Sequence, residues 1–186
     1  MELTPQQGNA LFICIKEEDN CLQNVSLDFN NLSYVEPSIL VQAMNLLRFL
    51  SLKDTRLTPQ QVDVIFDALQ EPGRLQGLTL SGNNLSFVDP TKIWRVNALR
   101  HIIICHSKLT MKQVKSIVAG SLVSTKLKKV RWTEAELDGT SQERQRLHVL
   151  FYEATLLGIT IFQDTKCSCI CAKTCSTGSI ASYLCA

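Results

Sequence analysis

The side chains able to do chemistry are unevenly placed along this chain, and few of them converge on a reaction. Of eight cysteines, five lie beyond residue 166: Cys167, Cys169, Cys171, Cys175 and Cys185. Thiolates suit soft metals such as Cu(I) and Zn, which makes Cys167, Cys169, Cys171 and Cys175 weak candidate ligands. Their spacing is not the paired C-x-x-C of structural zinc sites, and no histidine joins them. The expectation is therefore a flexible Cys-rich tail, with no metal or other cofactor. Cys14, Cys21 and Cys105 are expected to act as small buried apolar groups. His101 and His106 lie five apart across an expected strand and turn, and His148 is expected on the outer side of a late helix. Cys105 and His106 are adjacent, but neighbours along a strand point to opposite faces. No Gly-x-Ser-x-Gly, phosphate loop or His-Glu-x-x-His occurs, so the expected activity is non-enzymatic.

Charge is the second chemical signal. Residues 1–90 carry 5 basic and 11 acidic side chains, whereas residues 91–186 carry 14 and 6. From Lys92 to Arg131 there are ten Lys or Arg and no Asp or Glu. Such a half could steer an acidic partner, protein or nucleic acid. Aromatic interleaving is sparse, only Trp94 and Trp132, so stacking on single-stranded bases is not suggested.

What positions these groups is a repeat. Asn30-Asn31-Leu32-Ser33-Tyr34-Val35-Glu36-Pro37 returns as Asn83-Asn84-Leu85-Ser86-Phe87-Val88-Asp89-Pro90. Leu3-Thr4-Pro5-Gln6-Gln7 returns at Leu57-Thr58-Pro59-Gln60-Gln61 and, degraded, at Leu109-Thr110-Met111-Lys112-Gln113. Inside this long unit runs L-x-x-L-x-L-x-x-N-x-L. The first copies are Leu22, Val25, Leu27, Asn30, Leu32 and then Leu47, Leu50, Leu52, Thr55, Leu57. Next come Leu75, Leu78, Leu80, Asn83, Leu85 and Leu99, Ile102, Ile104, Ser107, Leu109. A worn fifth copy reads Leu127, Val130, Trp132, Ala135, Leu137, and Leu156, Ile159, Ile161 trace a sixth.

Across residues 3 to 164 these residues resemble a leucine-rich repeat protein. Copies with Asn before Leu-Ser alternate with copies carrying Thr or Ser before Leu-Thr, which is similar to the ribonuclease-inhibitor subfamily. The resemblance implies an α/β solenoid of five to six repeats, a curved parallel sheet inside and helices outside. It also implies partners bound along the concave face.

The residues themselves support strands and helices in that order. Apolar side chains every second position in L-x-L mark a strand with one buried face. Thr58-Pro59-Gln60-Gln61 reads as a helix start, with Thr58 as N-cap and Gln61 closing a capping box. Val62, Ile65, Phe66 and Leu69 then form an inward stripe, repeated by Val114, Ile117, Val118 and Leu122. Shorter helices are expected after Glu36-Pro37, with Leu40 and Val41 inward, and after Asp89-Pro90, with Ile93 and Trp94 inward. Thr140-Ser141-Gln142-Glu143 opens a last helix that Gly158 ends, and a strand near Ile159–Phe162 closes the sheet. The expected organisation of the 186 residues is a capping remnant over 1–21, repeats over 22–138, a capping helix and strand over 139–163, and the tail over 164–186.

Outward strand positions then form the candidate binding face: Phe49, Ser51, Lys53, Thr79, His101, Ile103, Lys129 and Arg131, flanked by Asn24, Ser26, Asp28, Gly77, Ser81, Cys105 and Thr133. The expected function is a protein–protein interaction module, with aromatic and Arg positions as hot spots. Alternatives are binding of RNA or another polyanion by the basic half, or a truncated fragment of a larger NOD-like leucine-rich repeat protein. At 45% hydrophobic and 19% charged residues the chain is not of disordered composition. No apolar run reaches the ~18 residues of a membrane span. The start MELTPQQGN lacks the basic-then-apolar layout of a secretory signal, so the expected location is the cytoplasm. Partner identity and oligomeric state are not encoded in any motif.

Overall fold

Most helices begin where the chain supplies its own cap. In the computed structural model, which describes residues 3–16, 22–69, 73–124, 126–132 and 140–163, Thr58, Thr110 and Thr140 all build complete capping boxes. The threonine hydroxyl accepts from the backbone N–H three residues on, and Gln61, Gln113 or Glu143 reaches back to the threonine N–H. The helices so started are α3 (Pro59–Ala68), α5 (Met111–Val123) and α6 (Ser141–Leu156). The same reciprocal pair starts α1 (Pro5–Lys16), where the Gln7 side chain accepts from Thr4 N at 3.0 Å and Gln7 N donates to Thr4 Oγ1 at 3.3 Å. In the alternate units, α2 (Pro37–Leu46) follows Glu36 without a side-chain cap, and α4 (Pro90–Ile93) follows Asp89, which accepts from Thr91 N.

Between the helices lie short strands: β1 (Asn24–Ser26), β2 (Phe49–Ser51), β3 (Gly77–Thr79), β4 (His101–Ile104), β5 (Lys129–Trp132) and β6 (Thr160–Gln163). Among the described residues they form one six-stranded sheet in sequential order, and every pairing is parallel. Parallel neighbours need a crossover on one side of the sheet, and the helices provide it. The core lies between. Leu50, Leu78, Ile102 and Val130 occupy matched positions on adjacent strands, and all four are buried. One step on, Leu27 N donates to Ser51 O, Leu52 N to Thr79 O and Leu80 N to Ile103 O. This register makes Leu27, Leu52, Leu80 and Ile104 neighbouring rungs. On β5 the rung is Trp132, fully buried and tilted against Phe151 of α6 with ring centroids 4.6 Å apart.

The asparagine of the repeat has a structural task. Asn83 Nδ2 donates to Leu52 O and Leu80 O, while its Oδ1 accepts from Leu57 N. Asn30 does the same one unit earlier, bonding Leu27 O and Leu3 N. At the alternate positions Thr55 Oγ1 bonds Leu52 O and Ser107 Oγ bonds Leu80 O. One side chain thereby serves two successive turns, which holds neighbouring units in register.

Several sequence expectations need correction. Leu22 is 45% exposed, whereas its equivalents Leu47, Leu75, Leu99 and Leu127 are buried; β1 is an edge strand with a neighbour on one side only. Trp94 is 50% exposed, because α4 ends at Ile93 and tightens into a 3₁₀ turn over Trp94–Ala98, and three residues per turn rotate it outward. Val41 is half-buried rather than part of the core. Cys14 lies on the exposed side of α1, while Cys105 is buried. Leu156 is exposed. Gly158, at φ 77°, ends α6 in the left-handed region that favours glycine.

Candidate functional site: the open face of the sheet

Strand side chains alternate, so the residues between the rungs face away from the helices. The register sets them in rows. Asn24, Phe49, Gly77, His101, Lys129 and Thr160 are successive partners across the sheet, as are Ser26, Ser51, Thr79, Ile103 and Arg131. Phe49 is exposed, and Ser51, Lys53, Thr79, His101, Ile103, Lys129 and Arg131 are half-buried. All eight sequence-selected residues therefore reach this face. Ser81 and Cys105, also expected there, are buried; Cys105 N donates to Ser81 Oγ at 3.1 Å. They lie past the strand ends, where the chain turns inward.

Gly77 shapes the middle of the face. The rings of Phe49 and His101 stand on either side of it, centroids 6.2 Å apart and inclined 17°. A Cβ on Gly77 would lie 2.5 Å from Phe49 Cδ1, so only glycine lets the two rings lean together over the backbone. The product is an aromatic step on an otherwise polar sheet. Beside it, Asp28 accepts from Ser51 Oγ at 2.6 Å and from Lys53 N at 2.9 Å. The Lys53 ammonium sits 4.7 Å over the ring of Phe29, a cation–π contact. Phe29 is exposed at φ 62°. Sequence reasoning missed Phe29, because it falls in an unpatterned position of the turn and gives no periodic signal.

The opposite, helical surface uses some of the basic residues otherwise. Lys92 bonds Asp63 at 2.8 Å and Asp67 at 3.1 Å, Arg95 bonds Asp67 at 2.6 Å, and Lys115 bonds Glu143 at 3.0 Å. The Asp63 and Asp67 carboxylates hold the Lys92 ammonium above its ordinary pKa. The Thr140 N–H and the Lys115 ammonium pull Glu143 down to about 2. Three of the ten cations between Lys92 and Arg131 are thus joined to carboxylates from outside that segment.

His101 lies against Phe49, and His106 stands past the end of β4 at φ 53°. Among the described residues no group of three His, Cys, Asp or Glu could hold a metal ion. Cys167, Cys169, Cys171 and Cys175, with Thr133 and Cys21, lie outside the described residues, as does the side chain of His148. No described helix is long and apolar enough to cross a membrane.

No family model and no curated protein matches the chain. Among solved structures, a tropomodulin C-terminal domain from Caenorhabditis elegans is similar to it with a TM-score of 0.54 and 14% identity. The likeness covers 80% of this chain and 93% of that one. At such identity it shows the fold alone, an α/β arrangement whose parallel sheet and alternating helices fit the leucine-rich repeat kind.

Proposed function

We propose that the chain is a non-enzymatic, cytoplasmic protein-interaction module that grips a protein partner along its sheet. The sheet then serves as the concave face of a ribonuclease-inhibitor-like solenoid of five to six repeats. Its repeats span about 22–138, capped by 1–21 and 139–163. The observation that carries this reading is the open face. It keeps two rows of partly exposed side chains across successive strands, and the Phe49–His101 step lies inside them. Aromatic and Arg side chains ringed by small polar neighbours are the composition of an interface hot spot. Phe49, His101, Ile103 and Arg131 are the proposed anchors, and Ser51, Lys53, Thr79 and Lys129 supply the polar rim. The tropomodulin likeness supports the fold on which this rests.

Binding of RNA by the basic half is the competing possibility. The Lys92, Arg95 and Lys115 ion pairs weaken it, because those cations already have acidic partners. The test is affinity capture from cell extract with the wild type, the double variant Phe49→Ala/Arg131→Glu, and Lys112→Glu on the exposed side of α5. A defined set of proteins retained by wild type and Lys112→Glu but lost by the double variant supports the open face. Equal capture by all three, or capture abolished by ribonuclease, overturns it.

A further inference from the structure

At the edge where the strands begin lies a groove of about 630 Å³ that the binding face does not include. Its rim carries Arg48, Arg74, Arg100 and Lys126, spaced 26 residues apart, one from each of four successive units. Aliphatic side chains line it too, Leu22, Leu46 and Leu75, beside the polar Gln23 and Gln76. We propose that this groove binds an extended acidic peptide whose carboxylates alternate with aliphatic side chains.

Four observations point that way. First, all four cations are exposed, and among the described residues none has an ion pair or side-chain hydrogen bond. Among the described residues no Asp or Glu lines the groove. Second, the cations are not stationed to neutralise helix ends, the ordinary use of a basic residue beside a C-terminus. The last turns of α2, α3 and α5 contain no basic residue, and Arg48, Arg74 and Lys126 fall in the connections beyond them; Arg100 likewise lies beyond the 3₁₀ turn, whose own last turn carries Arg95. Third, the backbone of this edge is closed to a ligand. Gln23 O accepts from both Arg48 N and Phe49 N, Arg48 O from Gln76 N and Gly77 N, and Gln76 O from Arg100 N and His101 N. Recognition must come from side chains, ionic and apolar. Fourth, among the described residues no aromatic side chain lines the groove. A single-stranded nucleic acid would find charge but no platform for its bases, whereas leucine or isoleucine of a peptide finds the aliphatic side chains.

Spacing sets the register. Arg48 and Arg100 precede strands β2 and β4, two strand separations of about 4.8 Å apart, or about 10 Å. A peptide in the extended polyproline II conformation has three residues per turn and advances about 3.1 Å per residue, so carboxylates at every third position share one side about 9 Å apart and meet alternate cations such as Arg48 and Arg100. The volume falls within the range of about 300–1,000 Å³ usual for ligand pockets.

The experiment is fluorescence anisotropy on the full chain. The probe is a dye-labelled peptide about a dozen residues long, with glutamate at every third position and leucine among the rest. Wild type is expected to bind it, and the same peptide with glutamine for glutamate is not. Arg48→Glu/Arg100→Glu is expected to weaken binding by about tenfold or more with an unchanged melting temperature, since like charges replace attraction at an exposed rim. Lys112→Glu/Arg146→Glu, exposed helix positions that change the net charge equally, is expected to bind within about twofold of wild type. No binding of the glutamate peptide overturns the proposal. So does equal loss in both double variants, which is non-specific attraction, or a labelled oligouridylate that binds more tightly than the peptide. None of these outcomes touches Phe49 or Arg131, so the open-face reading stands or falls separately.

Discussion

The two buried glutamines, Gln61 and Gln113, offer a sharp test of how the units are held together. Gln61 is 1% exposed, and its amide is fully used. Nε2 donates to Leu32 O at 2.8 Å and Val35 O at 2.6 Å in the preceding unit, while Oε1 accepts from Thr58 N at 2.8 Å. Gln113 repeats this with Leu85 O, Val88 O and Thr110 N. Gln61→Glu keeps the size and the acceptor that closes the capping box, but turns an oxygen toward two carbonyls. Leu32 O retains the Val35 N–H at 2.9 Å, so the heavier loss falls on Val35 O. An unsatisfied buried polar group costs about 1–3 kcal/mol. Adding a second, partly compensated carbonyl brings the expected loss to about 2–4 kcal/mol, a large share of a usual stability of about 5–15 kcal/mol. Thr58→Ala, which removes only the cap, is expected to cost about 1 kcal/mol. The new carboxyl favours its protonated form in the fold, so its folded pKa lies above the unfolded value of about 4.3. The deficit is therefore full at neutral pH and shrinks as pH falls through the folded pKa toward that value. Urea unfolding followed by circular dichroism at pH 7 and at pH 4 reads both effects. A Gln61→Glu midpoint at pH 7 no lower than that of Thr58→Ala refutes the claim that Gln61 ties one unit to the one before it.

Three further outcomes are expected. The wild type should exceed Glu143→Gln in stability at neutral pH. Because the Glu143 pKa is lowered from 4.5 to about 2, that advantage is present above 4.5 and fades as pH falls toward 2; thermal melts of both proteins across this window check it, and a constant difference contradicts it. Gly77→Ala should displace the Phe49 ring, since the added Cβ lies 2.5 Å from Phe49 Cδ1. The His101 ring-proton shifts in NMR should move with it, and unmoved shifts would separate the two rings. Leu80→Ala, at a fully buried rung, should cost about 2–5 kcal/mol, while Leu22→Ala, half exposed on the edge strand, should stay within about 0.5 kcal/mol; comparable urea midpoints would undo the rung assignment.

The rungs were legible because aliphatic spacing has one economical solution. Residues at matched places in Leu22–Leu32, Leu47–Leu57 and Leu75–Leu85 must share a face, and stacking buries that face. Capping boxes at Thr58 and Thr140 were legible for the same local reason, needing only four residues each. Legibility failed where a tertiary neighbour decides. Trp94 sits at an inward position of an ideal α-helix, but the chain winds with three residues per turn after Ile93, and Trp94 is exposed. Gly77 looked like an unremarkable outward residue until the register placed Phe49 and His101 on either side of it. Phe29 pairs with Lys53 only because the turn after β1 adopts φ 62°.

A repeating fold has a further consequence for where function can hide. Once the strands are in register, any residue type recurring at one place in the unit becomes a row on the molecule, whether or not it belongs to the apolar pattern. The leucine pattern yields the core row and, by alternation, the open face. Arg48, Arg74, Arg100 and Lys126 recur with period 26 yet occupy two different places relative to their strands, three residues before β3 and β5 and one before β2 and β4. Comparison of like copies hides such a series, because alternate units differ there. It shows only when the alternation itself places the two positions on one rim. The open face thus follows from the strand alternation, whereas the cationic rim depends on the residue types at these four positions.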